Sequence, residues 1–222
     1  MCGRFTSTAT TDELMRRFGA TILQNLRPRW NVAPSQSVTI ITCDGLQNEA
    51  VSAKWGLPPR TSKASFLINA RMETVTQKPT FRDAFRLSRC IVPSSGWFEW
   101  SAPKTPWHVQ LCDGDVMGFA GLTFRRNDDL HFVIMTSAAD EKLREIHHRQ
   151  PLVLEPDAWH TWLGSDHQSA LTHCKIASSS WFNWYRVTAD VGNVANDNPG
   201  LVTPLSPDAF APIKPDQADL FD

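Results

Sequence analysis

The chain has 222 residues, 41% of them hydrophobic, and a formal net charge of −1. That length suits one globular domain or at most two small ones. No run of 18 apolar residues offers a membrane-spanning helix, and no apolar leader opens the chain, so no membrane partner and a cytoplasmic location are expected.

The near-neutral total hides an asymmetry. Residues 1–104 carry 14 Lys/Arg against 7 Asp/Glu, and residues 105–222 carry 8 against 16. A basic half points to a positive face and an anionic partner; if the halves intermix in the fold, the charges average out. The five cysteines, Cys2, Cys43, Cys90, Cys112 and Cys174, are odd in number, widely spaced and free of any Cys-x-x-Cys. They fit a reduced compartment better than a disulfide framework or a zinc site. His160, His167, His173 and Cys174 match no standard zinc spacing, so neither metal nor cofactor is expected.

In chain order, residues 11–18 predict a short helix, capped by Thr10 or Thr11 and ended by Gly19. Residues 29–34 predict a loop. Residues 38–42 are a β-branched strand, Asp44-Gly45 a turn, and residues 50–55 a second strand. Residues 58–65 form a loop rich in Pro, Lys, Arg and Ser, and Phe66-Leu67-Ile68 a short strand delivering Asn69-Ala70-Arg71. Residues 79–86 are helical, with Phe81 and Phe85 at i, i+4. Strands follow at 90–93, 96–100, 107–111, 117–124 and 130–136, then a helix at 140–146, a strand at 152–154 and a helix at 156–163. Residues 165–180 are polar and begin helical, and 184–187 make an edge strand. The pattern is α+β: one domain, residues 1–205, around a curled antiparallel sheet with short flanking helices. Residues 206–222 form a Pro- and Asp-rich tail expected to be disordered.

The chemistry starts at Cys2. A small second residue allows an aminopeptidase to remove Met1, leaving Cys2 with an α-amine and a thiol on adjacent carbons. The α-amine has a reference pKa near ~7.8, so near neutral pH a sizeable fraction is unprotonated and nucleophilic. An aldehyde could form an imine with the amine, and the thiol could close on the imine carbon as a five-membered thiazolidine, an intramolecular step. The alternative is a small apolar residue in a first strand. Three further residues stand out. Glu99, between Phe98 and Trp100, is either a buried carboxyl with a raised pKa, suited to proton transfer, or an outward residue on an alternating strand. His147 is either a proton carrier or a surface histidine, and Asn69 a site residue or a turn residue.

Seven ordered blocks carry a resemblance. They are Met1-Cys2-Gly3-Arg4-Phe5, Trp30-Asn31-Val32-Ala33-Pro34, Trp55-Gly56-Leu57 and Ile68-Asn69-Ala70-Arg71-Met72-Glu73-Thr74. Then come Cys90-Ile91-Val92-Pro93 with Gly96-Trp97-Phe98-Glu99-Trp100, Ile146-His147-His148-Arg149-Gln150-Pro151, and Val191-Gly192-Asn193-Val194. From residue 1 to about 204 the sequence closely resembles the SRAP (SOS response-associated peptidase) family of abasic site processing proteins. The resemblance implies a barrel-like sheet with a basic channel for single-stranded DNA, acting as a monomer that associates with the nucleoid when DNA is damaged. It implies a covalent, lyase-like crosslink from Cys2 to the opened sugar of an abasic site, and a peptidase-type self-processing that removes Met1. Asn69, Glu99 and His147 fall on the family's active-site positions. Glu99 would move protons during imine and ring formation, and His147 would promote sugar opening and crosslink reversal. Asn69 would hold the Cys2 end or the opened sugar, and Arg4, Arg71 and Arg149 would meet phosphates.

Three departures stand beside the match. Residues 58–63, just after the Trp55-Gly56-Leu57 block, hold no Trp where relatives usually place one, so base stacking would fall to Phe66 or Trp30. Gln150 replaces the family's usual Met, and Thr188-Ala189-Asp190 lacks a basic residue found in some relatives. Two other classes compete. An N-terminal-nucleophile glutamine amidotransferase would show Arg-Gly and Asn-Gly motifs, and the chain has neither. A non-catalytic single-strand binder would explain the basic half but not the aminothiol.

Overall fold

One parallel strand pairing closes the ring of strands on which the rest of the molecule is built. The computed structural model describes residues 2–22, 26–59, 65–173 and 175–205. β1 (Arg4–Ser7) leads into α1 (Thr11–Phe18), where the expected caps are present. The Thr10 hydroxyl accepts the Glu13 N–H, the Glu13 carboxylate accepts the Thr10 N–H at 2.7 Å, and Gly19 ends the helix at φ 59°. β2 (Ala20–Thr21), β3 (Arg29–Val32), β4 (Ser37–Cys43), β5 (Asn48–Trp55) and β6 (Asn69–Arg71) precede α2 (Pro79–Leu87). β7 (Arg89–Ser94), β8 (Gly96–Ser101), β9 (Thr105–Leu111), β10 (Met117–Arg126) and β11 (Asp129–Ala138) follow. The described chain then adds β12 (Arg149–Pro151), β13 (Val153–Leu154), α3 (Trp159–Leu163), α4 (His167–His173) and β14 (Phe182–Arg186).

β11, β10, β7, β4 and β5 are successive antiparallel neighbours. β5 then pairs in parallel with β11 through His131↔Lys54 and Phe132↔Trp55, and the sheet becomes a five-stranded barrel. β6 continues along the same side of β11, with Asn69 opposite Ile134. A second sheet, in the order β14-β9-β8-β1-β3, is antiparallel throughout. The fold is thus α+β around a barrel-like sheet, as the sequence implied, with parallel pairings added at β2–β5, β5–β11 and β6–β11.

The two sheets share one core. Phe5 and Trp97 of the second sheet meet Trp55 and Phe119 of the barrel, with ring centroids 5.1 Å apart for Phe5–Trp55 and 6.0 Å for Trp97–Phe119. The barrel's outer face is covered by α1, α2 and α3 through Leu14, Phe18, Phe85 and Trp162. The outer face of the second sheet is covered too. Phe98 and Tyr185 lie under Val191 and Leu201 of two 3₁₀ turns, Ala189–Gly192 and Pro199–Val202.

Three expectations need correction. Residues 29–32 form β3 rather than a loop, because β3 pairs with β1 and the N–H groups of Trp30 and Asn31 both donate to Asp197. Residues 140–146 hold only a 3₁₀ turn, Leu143–Glu145. Asp140 there is anchored at both ends, its N–H donating to Gln150 Oε1 at 2.9 Å and its carboxylate accepting the Ser179 N–H at 2.6 Å. Leu67 makes an isolated bridge to Leu57, and the strand begins at Asn69 instead. The expected tail 206–222 and most of the 58–65 loop lie outside the described residues.

Close approach in the second sheet makes a first prediction. A Cβ on Gly96 would stand 2.3 Å from His108 Nε2 and 2.7 Å from the Val109 carbonyl oxygen, which is backbone and cannot turn away. Gly96→Ala should lower stability by about 1–3 kcal/mol, the usual cost of overpacking. Urea unfolding should show an earlier midpoint at unchanged slope.

Candidate active site

β1 and β8 run antiparallel with Arg4 opposite Phe98 and Phe5 opposite Trp97. Continued one residue outward, that register sets Gly3 opposite Glu99, next to Cys2. Alternation along β8 gives Glu99 the side of Trp97, which faces the barrel, and Phe98 the other side. The alternative of an outward Glu99 fails for a physical reason: both faces of this sheet are covered, so neither side of the strand meets open water. Glu99 is 5% exposed, and burial pushes its carboxyl above the usual carboxylate range. The Trp100 N–H donates to its Oε1 at 3.4 Å.

Cys2 is fully buried, in the same core cluster as Phe5 and Trp97. Burial and then the nearby Glu99 charge push its thiol well above the ordinary range, so the sulfur is held as a neutral thiol. Asn69 reaches it from the barrel side: Asn69 Nδ2 donates to the Cys2 carbonyl at 3.0 Å. The other end of that amide, Oδ1, is buried with no hydrogen-bond partner among the described residues.

His147 follows the Leu143–Glu145 turn, and its Nδ1 lies 3.9 Å from Glu99 Oε2. That nitrogen is also 3.0 Å from the Arg149 N–H and 3.2 Å from the Arg149 carbonyl. Nδ1 therefore has a partner in either tautomer, accepting from the first or donating to the second. Burial, partly offset by the Arg149 backbone, lowers the imidazole below the ordinary histidine range. Cys2, Asn69, Glu99 and His147, far apart in the chain, are thus brought to one place.

The three arginines are placed differently from one another. Arg4 Nη1 donates to Asn31 Oδ1 at 2.8 Å and to the Val191 carbonyl at 2.7 Å. Asn31, fully buried, donates in turn to the carbonyls of Val191, Asn193 and Asn196. Three of the sequence blocks are fastened together by this one cluster. Arg149 makes a two-pronged pair with Glu73, Nη1–Oε1 at 2.5 Å and Nη2–Oε2 at 3.1 Å, and also donates to Thr136. Arg71 is exposed at the end of β6. Phosphate contact was expected of all three, and within the described fold the guanidinium groups of Arg4 and Arg149 are already engaged by protein.

Sequence reasoning gave no role to Asn31 or Thr136, and offered Glu73 as a structural pair for Arg71, whereas its partner is Arg149. For Asn31 the available signal was an amide inside an otherwise apolar block. Gln150, the departure from the family's Met, is buried and holds two segments, accepting from Asp140 and donating to the Ala177 carbonyl at 3.1 Å. Phe66, a suggested base platform, is 43% exposed and lies against Gly56, where any Cβ would meet the ring at 2.4 Å. Among the described residues no group of three or more His, Cys, Asp or Glu side chains could hold a metal ion, and no helix is long and apolar enough to cross a membrane. Cys2, Cys43, Cys90 and Cys112 are all free thiols.

The chain belongs to the SOS response associated peptidase (SRAP) family, whose model matches residues 1–194. It is 31% identical to the abasic site processing protein YedK of Escherichia coli over 222 residues, covering 92% of this chain and all of YedK. It is 32% identical to the abasic site processing protein YoqW of Bacillus subtilis, covering 91% of this chain and 99% of YoqW. A crystal structure of a protein from Bacteroides thetaiotaomicron shares the fold, with a TM-score of 0.77 at 23% identity over 91% of this chain and 99% of that one.

The buried carboxyl makes a second prediction. A carboxyl whose folded pKa is raised contributes stability that is present at low pH and is lost as pH rises through that raised pKa. Glu99→Gln should therefore melt at a higher temperature than the unaltered protein at pH 7–8. The difference should shrink towards pH 4, and thermal melts across that range measure it.

Proposed function

We propose that this protein senses abasic sites in single-stranded DNA and captures them covalently through the amine and thiol of Cys2 after Met1 is removed. The observation that carries the reading is a connected site: Asn69 holds the Cys2 carbonyl, the Glu99 carboxyl acts on the Cys2 thiol, and His147 lies 3.9 Å from Glu99. The family membership and the names of the relatives support it, as does the basic half of the sequence.

An abasic sugar exists as a closed hemiacetal in equilibrium with an open aldehyde. His147 would take the proton of the hemiacetal hydroxyl and return it to the ring oxygen, opening the sugar. The free amine of Cys2 then adds to the aldehyde carbon. Glu99, whose burial lets it hold a proton to higher pH than an exposed carboxyl, gives that proton to the departing hydroxyl, and water leaves with formation of the protonated imine. The Cys2 thiol adds to the imine carbon and its proton passes to the Glu99 carboxylate, which returns the site to its starting state. The net change is aldehyde plus aminothiol to thiazolidine plus water. A neutral thiol suits this order, because the amine reacts first and the sulfur needs a base only at closure. Asn69 would hold the Cys2 end through Nδ2 and offer Oδ1 to the amine or a sugar hydroxyl. The family's peptidase activity would correspond here to removal of Met1.

The mechanism gives the third prediction. Cys2→Ala should bind undamaged single strands nearly as well as the unaltered protein and give no heat-stable adduct with an abasic oligonucleotide on denaturing gels. A heat-stable adduct from Cys2→Ala would assign the nucleophile elsewhere.

Phosphate binding gives the fourth. If Arg71 meets a phosphate, Arg71→Ala should flatten the slope of log K against log salt by about 0.7 for single strands. Arg149→Ala should instead cost stability through the lost Glu73 and Thr136 contacts, read from urea unfolding alongside fluorescence anisotropy with labelled DNA.

A further inference from the structure

His148 is the residue of the histidine block that the proposed chemistry leaves unused. Its side chain is exposed, and its ring stacks on His147 with centroids 4.2 Å apart and planes 29° from parallel. Stacked imidazoles at that distance cannot both carry charge without repulsion. The turn that precedes them is pinned by the His147 N–H to the Leu143 carbonyl at 3.1 Å, and the strand that follows by β12 pairing with β11. The stacking is therefore set by backbone on both sides.

We propose that His148 is a positioning residue for His147: its ring covers one face of the His147 imidazole, and the two rings together hold one proton in the pH range where either titrates. The inference rests on the reading of His147 as the proton carrier for sugar opening. Several charges face this pair. Glu99 comes from β8, and Arg149 from β12 with Glu73 behind it. Lys142, Arg144 and Glu145 lie on the preceding turn and are exposed. The charge on His147 is the main reason His148 sits below the ordinary histidine range. A pair interaction is mutual, so a charged His148 disfavours the charged form of His147 as much as the reverse. At most one ring of the stack then carries charge, and His147 is kept flat against a partner that exchanges protons with bulk water.

The test separates ring from charge. His148→Phe keeps an aromatic face and removes the titrating group; His148→Ala removes both. NMR titration of the His147 imidazole carbons in the protein without DNA reads the coupling independently of any reaction. The unaltered protein should give a broad, two-step curve, and both variants a single-step curve displaced to higher pH. In crosslinking to an abasic oligonucleotide, the acidic limb of the pH–rate profile should move upward for both variants, since a less readily neutralised base needs higher pH. At its best pH, His148→Phe should keep its rate and His148→Ala should lose a factor of about 10, short of the about 10²–10⁴ expected for removing a general acid or base outright. Identical single-step His147 curves in all three proteins would overturn the proposal. The predicted NMR shifts with crosslinking profiles that do not move would support the coupling and remove His147 from the mechanism.

Discussion

A carboxyl placed in the seam between two sheets is the constraint on which the rest of this structure depends. An ionised carboxylate removed from water is costly, and proteins commonly answer by raising its pKa or by supplying hydrogen bonds and charge partners. Glu99 receives some of each: 5% exposure, a backbone N–H from Trp100, and His147 at 3.9 Å. The carboxyl is therefore able to hold a proton nearer neutral pH than an exposed glutamate, and that property is what a proton shuttle between an amine, a hydroxyl and a thiol needs. The other side of the strand is closed as well, with Phe98, the residue before it, packed against Val191 and Leu201.

The fastenings around the site are consistent with that requirement. The register of β1 against β8 brings the chain start to Glu99, and Arg4 on β1 is tied through Asn31 to the segment that covers Phe98. β11 carries the other side. Thr136 has Arg71 of β6 on one edge and Pro151 of β12 on the other, so the strand that delivers Asn69 and the one that follows His147 share a single reference. Arg149 spans this arrangement, joining β12 to Thr136 and to Glu73 just beyond β6. Such a frame limits the drift of four groups contributed by four separate segments, and small misplacements of reacting groups are costly to rate.

Much of the secondary structure was legible because local rules decided it. Thr10, Glu13 and Gly19 define α1, and β-branched or aromatic runs define β4, β7, β8 and β10. What escaped the sequence depends on long-range contacts. Residues 29–32 become a strand through β1 and Asp197, and residues 140–146 lose most of a helix to anchors at Gln150 and Ser179. The parallel closure of β5 on β11 has no local signature. Cys2, Asn69, Glu99 and His147 could be singled out by type, but the direction of Glu99 depends on whether a second layer covers Phe98. That layer comes from residues 189–202, about a hundred positions away. Likewise the partner of Glu73 is Arg149, not the nearby Arg71, because β6 and β12 flank the same strand.

The central claim is that the amine and thiol of Cys2 together close a ring on an aldehyde, and intact-mass spectrometry of the product tests it most directly. The protein is mixed with an oligonucleotide carrying one abasic site, with and without borohydride, and the adduct is weighed. The account predicts the mass of the chain lacking Met1 plus the whole oligonucleotide less one water, unchanged by borohydride because a thiazolidine has no imine left to reduce. An adduct that retains Met1, or one that gains two hydrogens on borohydride treatment as an open imine would, contradicts it.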